Sequence, residues 1–372
     1  MKSRLLARLE ERIAVSRDGE KEELLAERAA YLARSGRVEV ALSEIAAVRQ
    51  RSLKPSNSRV SAILNLAEGL CHYYKDMNPT AEDRFARSRA IAQLGGHADL
   101  IARASSWLGL VKYGDYKFID MVRCIDESVE VTDELEPSAA ARSSLNIAQT
   151  LHLANRFDMS LSWYRRAHLM AVETEDEATI SAMLHNMASI WASNTRNASL
   201  GGPETPDSSR QAFMGALSTF NFDELVGISA LGIFTPLLEA QISSLNLDYE
   251  RALLLYESNL SELKLKVGGG WQAWLLADRI WCRLKCGVGE DAVNNLDSVF
   301  ALLDDCQHPD DQAAAQMRMA QSWRVLGDKG KAAQLEHGAQ DCWTRFGHMQ
   351  AEMLRIVTSS SGYKRLEERF PL

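Results

Sequence analysis

Apolar residues along this chain recur with helical spacing, in paired segments separated by short polar breaks. One such segment runs from residue 143 to 154, and a helical wheel puts Leu145, Ala148 and Leu151 on one face. After a break at Asn155, a second amphipathic segment follows. A period of three to four residues predicts α-helices. Because β-branched runs are short and do not alternate, the pattern predicts an all-α chain.

Small residues also return about every 40 positions, which is a repeat length typical of stacked helical arrays. One set comprises Ala41, Ala81, Ala212, Ala252, Ala292 and Ala332, with Met121 and Ser160 in the intervening places. A second set lies upstream of the first and comprises Ala29, Gly69, Gly109, Ala148, Ala188, Ala240 and Ala320. Large residues follow the first set: Ile45, Phe85, Ile125, Tyr164, Tyr256 and Leu296. Two antiparallel helices approach closely where a small residue faces a large one, so each unit predicts a helix pair.

Turn markers separate the two helices of the units, and together with the small residues they resemble the tetratricopeptide repeat family. The markers are Ser35-Gly36, Asp76 to Pro79, Gly114-Asp115, Asn155-Arg156, Leu247-Asp248, Gly287 to Gly289 and Gly327-Asp328. The best matches are Trp107-Leu108-Gly109 with Gly114-Asp115-Tyr116, Asp248-Tyr249 with Ala252 and Tyr256, and Gly327-Asp328 with Ala332 and Ala339. The resemblance implies a right-handed superhelical solenoid of about eight helix-turn-helix repeats. The period is longer than the family's usual one and is similar to that of kinesin-light-chain repeats. A HEAT-like array of similar repeat length is the alternative.

The repeats divide the chain into three predicted regions. Residues 1–19 form an N-terminal capping helix, residues 20–345 form the repeat array, and residues 346–372 form a C-terminal capping helix and tail, the last part docked or disordered. A Gly- and Pro-rich stretch at 193–209 interrupts the register and predicts a loop insertion between the two helices of one repeat. Pro236 predicts either a kink or the start of a new helix.

Composition limits the possible partners and the compartment. The 372-residue chain is 46% hydrophobic and carries a net charge of -8, so a nucleic-acid partner is not expected. Its six cysteines have no framework spacing, which predicts reduced thiols in a cytoplasmic protein. No apolar run approaches the roughly 20 residues needed to cross a bilayer, so no membrane association is expected.

Signatures of catalysis are absent from the sequence. Gly268-Gly269-Gly270 lacks the lysine and the preceding strand of a phosphate-binding loop. Cys282 and Cys286 lie one helical turn apart without histidine or further cysteine at metal-ligand spacing. Asp310 and Asp311 are interpreted as favourable charges at a helix N-terminus. We therefore predict a protein that is not an enzyme and has no cofactor or metal.

The first helices carry polar residues that suit a binding groove. Asn146 and Asn186 occupy equivalent places, and Leu184-His185-Asn186-Met187-Ala188 resembles the kinesin-light-chain pattern, in which asparagines of the concave groove hold a ligand backbone. The same face supplies the full predicted partner-binding set: Arg142, Asn146, Gln149, His152, His185, Asn186, Ser189, Gln241, Trp274, Trp281, Arg318, Gln321 and Arg324. The competing interpretation is that the asparagines only bridge adjacent helices or face solvent.

The resulting hypothesis is a non-catalytic adaptor or regulator that recognises a protein or peptide segment in the concave groove of the solenoid. Arginines and tryptophans on such a surface suit carboxylates and apolar anchors. The alternative is a solenoid that senses a small molecule or nucleotide through Trp274, Trp281, Trp323 and Arg324.

Overall fold

The computed structural model describes residues 3–51, 57–77, 79–204, 209–228, 230–232, 234–266 and 269–371. Within these residues the regular secondary structure consists of 18 α-helices and one 3-10 turn, with no strand. The all-α prediction is therefore confirmed.

The helices follow one another with short connections. The first ten are α1 (Arg4–Val15), α2 (Asp18–Arg34), α3 (Val38–Arg51), α4 (Ser58–Asp76), α5 (Thr80–Gly95), α6 (Ala98–Gly114), α7 (Phe118–Glu130), α8 (Pro137–Leu153), α9 (Phe157–Glu173) and α10 (Glu177–Ser199). The remaining eight are α11 (Ser209–Val226), α12 (Thr235–Leu245), α13 (Tyr249–Lys266), α14 (Gly269–Lys285), α15 (Ala292–Phe300), α16 (Pro309–Val325), α17 (Lys329–Ser359) and α18 (Ser361–Arg369). Even-numbered helices from α2 to α16 are the first helices of the predicted pairs.

The period of the sequence reappears in contacts between neighbouring first helices. Arg59 on α4 binds Asp99 on α6, and Asn146 on α8 binds the Ser106 carbonyl on α6, each across a separation of 40 residues. Arg318 on α16 binds Asp278 on α14 across the same separation of 40. Equivalent helices of successive repeats therefore lie side by side.

The predicted turns end their helices with residues in the left-handed backbone region. The φ angles are 88° at Gly36, 58° at Asn155, 64° at Leu247, 76° at Gly287 and 92° at Gly327. Glycine and asparagine adopt this conformation at low cost, and it lets the chain reverse after the last helical turn. The turn markers of the sequence are thereby confirmed.

The small and large positions of the repeat pack against each other as predicted. Phe85 is fully buried, and a Cβ atom built on Gly69 would lie 2.5 Å from two carbons of its ring. The close approach of α4 and α5 therefore depends on a residue without a side chain at position 69. The side chain of Ala212, which belongs to the same pattern, lies outside the described residues.

The structure gives different outcomes for the two irregular places in the sequence, Pro236 and the stretch 193–209. Pro236 lies in the first turn of α12, where its missing N–H costs nothing, so it starts a new helix. The loop predicted from Ser193 is wrong for its first part, because α10 continues as a helix to Ser199. Residues 205–208 of the predicted loop lie outside the described residues.

The chain divides into two compact units. Unit 1 comprises Met1–Leu184, Thr219–Leu231 and Met353–Leu372, and unit 2 comprises His185–Ser218 and Gly232–Glu352. Each unit has its own apolar core, built in unit 1 around residues such as Phe85 and in unit 2 around residues such as Tyr256.

The chain termini are both part of unit 1. Helix α1 buries Leu6, Leu9 and Ile13, as its amphipathic pattern predicts. At the other end, the tail forms the docked helix α18. The Asp126 carboxylate on α7 accepts hydrogen bonds from Ser360 Oγ at 2.8 Å and from the Gly362 N–H at 2.7 Å.

Candidate functional site

The asparagines predicted to hold a ligand occupy different environments. Asn146 is fully buried, and its Nδ2 donates to the carbonyl of Ser106 at 3.1 Å. It therefore bridges α8 and α6, which is the competing interpretation of the sequence. Asn186 and Ser189 on α10 are half-buried.

The other predicted residues of α8 are also buried. His152 faces the Tyr164 hydroxyl, with 3.1 Å between its Nδ1 and that oxygen. Burial lowers the pKa of His152 to about 3, so its ring is neutral at pH 7. Gln149 is 1% exposed, and its Nε2 has no partner among the residues that the structure describes. Arg142 lies over the ring of Trp107, with 4.0 Å from its Cζ to the ring centroid.

In unit 2, the part of α10 that the sequence assigned to a loop carries a buried arginine. Arg196 is 1% exposed, and its Nη2 donates to Asp311 Oδ1 at 3.0 Å. Its guanidinium also covers one face of Trp274 on α14, at 4.3 Å from the ring centroid. Helix α10 thereby contacts both α14 and the N-terminus of α16.

A second charged pair lies on α14 and α16. Arg318 Nε donates to Asp278 Oδ1 at 2.6 Å, and its Nη1 donates to Gln321 Oε1 at 2.8 Å. The same guanidinium is 5.5 Å from the centroid of the Trp281 ring. The structure thus brings two predicted residues, Gln321 and Trp281, to the predicted Arg318, which is held by Asp278, a residue that was not among those predicted.

The aspartates at the start of α16 are part of this environment. Asp310 and Asp311 occupy the first turn, as predicted. Burial and the neighbouring Asp311 raise the pKa of Asp310 to about 6. The pKa of Asp311 is lowered because His308 and Arg196 stabilise its charge against the cost of burial. Arg196 therefore lies beside two carboxylates and pairs with Asp311, whose ionised form it stabilises.

Unit 2 also contains many buried side-chain atoms with unused hydrogen-bonding capacity. Within the described part of the chain, those of unit 2 without a partner are all nitrogens: His185 Nδ1, Arg196 Nη1, Asn197 Nδ2, Gln241 Nε2, Trp274 Nε1, Arg279 Nε, Trp281 Nε1 and Trp343 Nε1. Apart from the histidine ring, whose tautomer sets its role, these atoms are donors. An unused buried donor costs about 1–3 kcal/mol. A set of this kind matches a ligand rich in acceptors.

The remaining predicted residues differ in exposure. His185 is buried, which lowers its pKa to about 4, and its ring lies 6.3 Å from that of Phe234. Arg324 is exposed and binds Glu336 at 2.7 Å. Trp323, part of the alternative sensor hypothesis, is buried under Lys331 at 3.9 Å from its ring centroid.

The described residues were compared with the requirements of a metal site and of a membrane-spanning helix, and they meet neither. They contain no group of three or more histidine, cysteine, aspartate or glutamate side chains placed to hold a metal ion. None of the helices in the described ranges is long and apolar enough to span a bilayer.

The comparisons with known proteins show similarity in fold only. No protein-family model matches the chain, and no curated protein matches it in sequence. Among solved structures, the chain is similar to the crystal structure of a Rap protein complexed with competence and sporulation factor. The two share 11% identity with a TM-score of 0.54, over 95% of this chain and 100% of the other. The chain is therefore an all-α protein built from repeated helix pairs.

Proposed function

We propose that the chain is a non-catalytic regulator of the tetratricopeptide type that binds a peptide or protein segment in unit 2. The proposed site is the face that carries Gln241, Trp274 and Trp281 on the first helices α12 and α14. The observation that carries the proposal is the set of buried nitrogen atoms there that have no hydrogen-bond partner among the described residues. A peptide backbone supplies one carbonyl acceptor for each residue, so an extended segment matches a row of N–H donors.

The charged side chains of unit 2 also favour a peptide as the ligand. Arg318 is held by Asp278 and Gln321, so its guanidinium is fixed in position beside the Trp281 ring. A fixed polar group next to an aromatic ring provides one polar contact and one apolar anchor for a bound segment. The Rap protein of similar fold is described as complexed with competence and sporulation factor, in keeping with a binding role.

A peptide is a better candidate than the alternative small molecule or nucleotide. Stacking of a base needs an accessible aromatic face, and Arg196 already covers one face of Trp274. Trp323 is similarly covered by Lys331. We also propose a cytoplasmic location, because none of the six cysteines forms a disulfide in the described residues.

The proposal is tested with a randomised hexapeptide pool passed over the immobilised protein, with bound peptides sequenced by mass spectrometry. The Kd of an enriched peptide is then measured by calorimetry for the wild type, Gln241→Leu, Trp274→Phe and Trp281→Phe. The two Trp→Phe changes each remove one indole N–H, Gln241→Leu removes the carboxamide, and all three keep most of the side-chain volume. We expect each to raise Kd by about 5- to 30-fold, as loss of a hydrogen bond of about 1–2 kcal/mol would.

The matched control is Trp323→Phe, which changes a buried tryptophan of the same unit outside the donor set and leaves Kd unchanged. A pool without any enriched peptide contradicts the proposal. A Kd equal to that of the wild type in all three donor variants also contradicts the proposal. Stabilisation by nucleotides without any bound peptide favours the sensor hypothesis.

A further inference from the structure

Unit 1 contains a buried arginine that forms no ion pair with a carboxylate of the described residues. Arg142 on α8 is 3% exposed. Its Nη2 donates to Thr179 Oγ1 at 3.3 Å, and the Tyr74 hydroxyl is a further hydrogen-bonding neighbour. Among the described residues it forms no ion pair: Asp176, which favours its charged form, pairs with Arg34 instead.

The other arginines of the same first helices behave differently. Arg34 on α2 binds Asp176 at 2.5 Å, and Arg103 on α6 binds both oxygens of Glu27 at 2.6 and 2.7 Å. Both side chains are more exposed than Arg142, at 12% and 17%. The least solvated of the three guanidinium groups is therefore the one without a carboxylate. Burial accordingly lowers the pKa of Arg142.

Aromatic rings surround this guanidinium. It lies over Trp107, whose ring is 6.1 Å from those of both Tyr73 and Tyr74 in edge-on contacts. Both tyrosines are half-buried and thus partly reachable from solvent. Stacking orients the guanidinium plane but does not neutralise its charge.

Asp176 favours the charged form of Arg142, but Arg34 opposes it and binds the same carboxylate, so one anion is shared between two cations. Asp176 is committed to Arg34 and to the Thr179 hydroxyl, which donates to it at 2.9 Å. Glu177 accepts hydrogen bonds from Ser3 Oγ at 2.8 Å and from the Arg4 N–H at 2.9 Å. Both of these described carboxylates are therefore already engaged.

We propose that Arg142 binds an oxyanion, a carboxylate or a phosphate group, carried by a ligand that enters unit 1 beside Tyr73 and Tyr74. Guanidinium groups bind both oxyanions through paired N–H donors. A buried cation without a carboxylate of its own lowers the stability of the unliganded protein, and the protein regains that stability when an anion binds. This site lies in unit 1 and does not depend on the peptide site proposed in unit 2.

The test measures Tm by differential scanning fluorimetry in chloride buffer of constant ionic strength. Sodium phosphate and sodium benzoate are added separately, so that the two arms distinguish a phosphate from a carboxylate group. We expect one of them to raise the wild-type Tm by at least about 3 °C at saturation. The rise disappears in Arg142→Met.

The matched control is Arg103→Met, which removes a paired arginine from a neighbouring helix. It lowers the unliganded Tm, because Glu27 loses its partner, but keeps the rise caused by the oxyanion. Arg142→Met leaves the unliganded Tm near or above that of the wild type. An equal loss of Tm in both variants contradicts the proposal, since Arg142 would then be neutralised within the protein.

A wild-type Tm that neither salt raises also overturns the proposal, as does an equal rise in Arg142→Met. If Arg142→Met does not fold, Arg142→Lys decides the question. Lysine keeps the charge but cannot donate through two parallel N–H groups, so we expect at least about 10-fold weaker binding of the effective anion. Binding of wild-type strength in this variant would refute the proposed site.

Discussion

The close contact between Gly69 and Phe85 leads to a prediction about how strictly the repeat requires small residues. Gly69 and Gly109 both lie inside first helices, so replacement by alanine gives each helix the same gain in intrinsic propensity, about 1 kcal/mol. The two sites differ in the space available for a methyl group. At Gly69 the new Cβ atom meets the Phe85 ring at 2.5 Å, whereas at Gly109 its nearest neighbours are Asn146 Nδ2 at 3.2 Å and Cys124 Cβ at 3.6 Å.

Phe85 cannot easily move out of the way. It is fully buried and stacks on Trp107 with 5.8 Å between ring centroids. Overpacking of a close-packed core costs about 1–3 kcal/mol, and a contact this short belongs at the upper end. Gly69→Ala is therefore expected to destabilise unit 1 by about 1–2 kcal/mol. Gly109→Ala is expected to be about neutral, because the gain in propensity offsets the shift of a few tenths of an ångström that the hydrogen-bonded Asn146 amide must make.

The free energies of unfolding are measured by urea titration followed by far-ultraviolet circular dichroism. The two variants are expected to differ by about 1–2 kcal/mol, with similar slopes against urea. Gly69→Ala combined with Phe85→Leu serves as the internal control, and the two losses are expected to be less than additive because the changes share one contact. The packing argument fails if Gly69→Ala is at least as stable as the wild type, or if Gly109→Ala is the less stable variant.

Three further predictions concern buried polar groups. Asn146→Ala is expected to lower the free energy of unfolding by about 1–3 kcal/mol, because the Ser106 carbonyl loses its donor; an unchanged urea midpoint contradicts the bridging role. Arg318→Met is expected to cost about 3–5 kcal/mol by leaving Asp278 unpaired, and the double variant with Asp278→Asn to cost less; equal losses would refute the pairing. Burial lowers the pKa of His185 from 6.5 to about 4. Between these two pH values the imidazole is protonated in the unfolded chain but neutral in the folded one, so the free energy of unfolding decreases as the pH falls from 6.5 to about 4. His185→Phe removes that loss, which amounts to at most about 1.4 kcal/mol for each pH unit, and an identical pH profile in the variant would contradict the argument.

Most of the fold follows from local signals in the sequence. Turn residues such as Gly36 and Gly327 mark helix ends through their own backbone preferences. The spacing of small residues reflects contacts inside each pair, and these recur with every repeat. Local patterns of this kind are available to sequence reasoning because each depends on residues close together in the chain.

The extension of α10 was not predictable in the same way. Residues Ser193 to Ser199 are mostly polar and resemble a loop, but they form helix around Arg196, which binds Asp311 from 115 residues away. A tertiary contact overrides the local preference here. The only signal in the sequence was a charged residue in a stretch otherwise composed of small polar residues.

The candidate sites were predictable only in part. The repeat register placed Asn146 and Arg142 on first helices, but it did not give the rotation of α8 about its axis. That rotation directs Asn146 into the contact with α6. Asp278, which fixes Arg318, was overlooked because a single aspartate within an amphipathic helix has no distinctive sequence pattern.

The docking of α18 onto α7 has a consequence for how the chain folds. Unit 1 combines residues from three separate stretches of sequence, and Asp126 binds Ser360 across 234 positions. Repeat arrays usually add one unit after another, with contacts limited to neighbours. In this chain the contact order of unit 1 is instead raised by its last helix, which slows folding because a long loop must close before the contact forms. During synthesis, unit 1 therefore stays incomplete until the whole of unit 2 has left the ribosome.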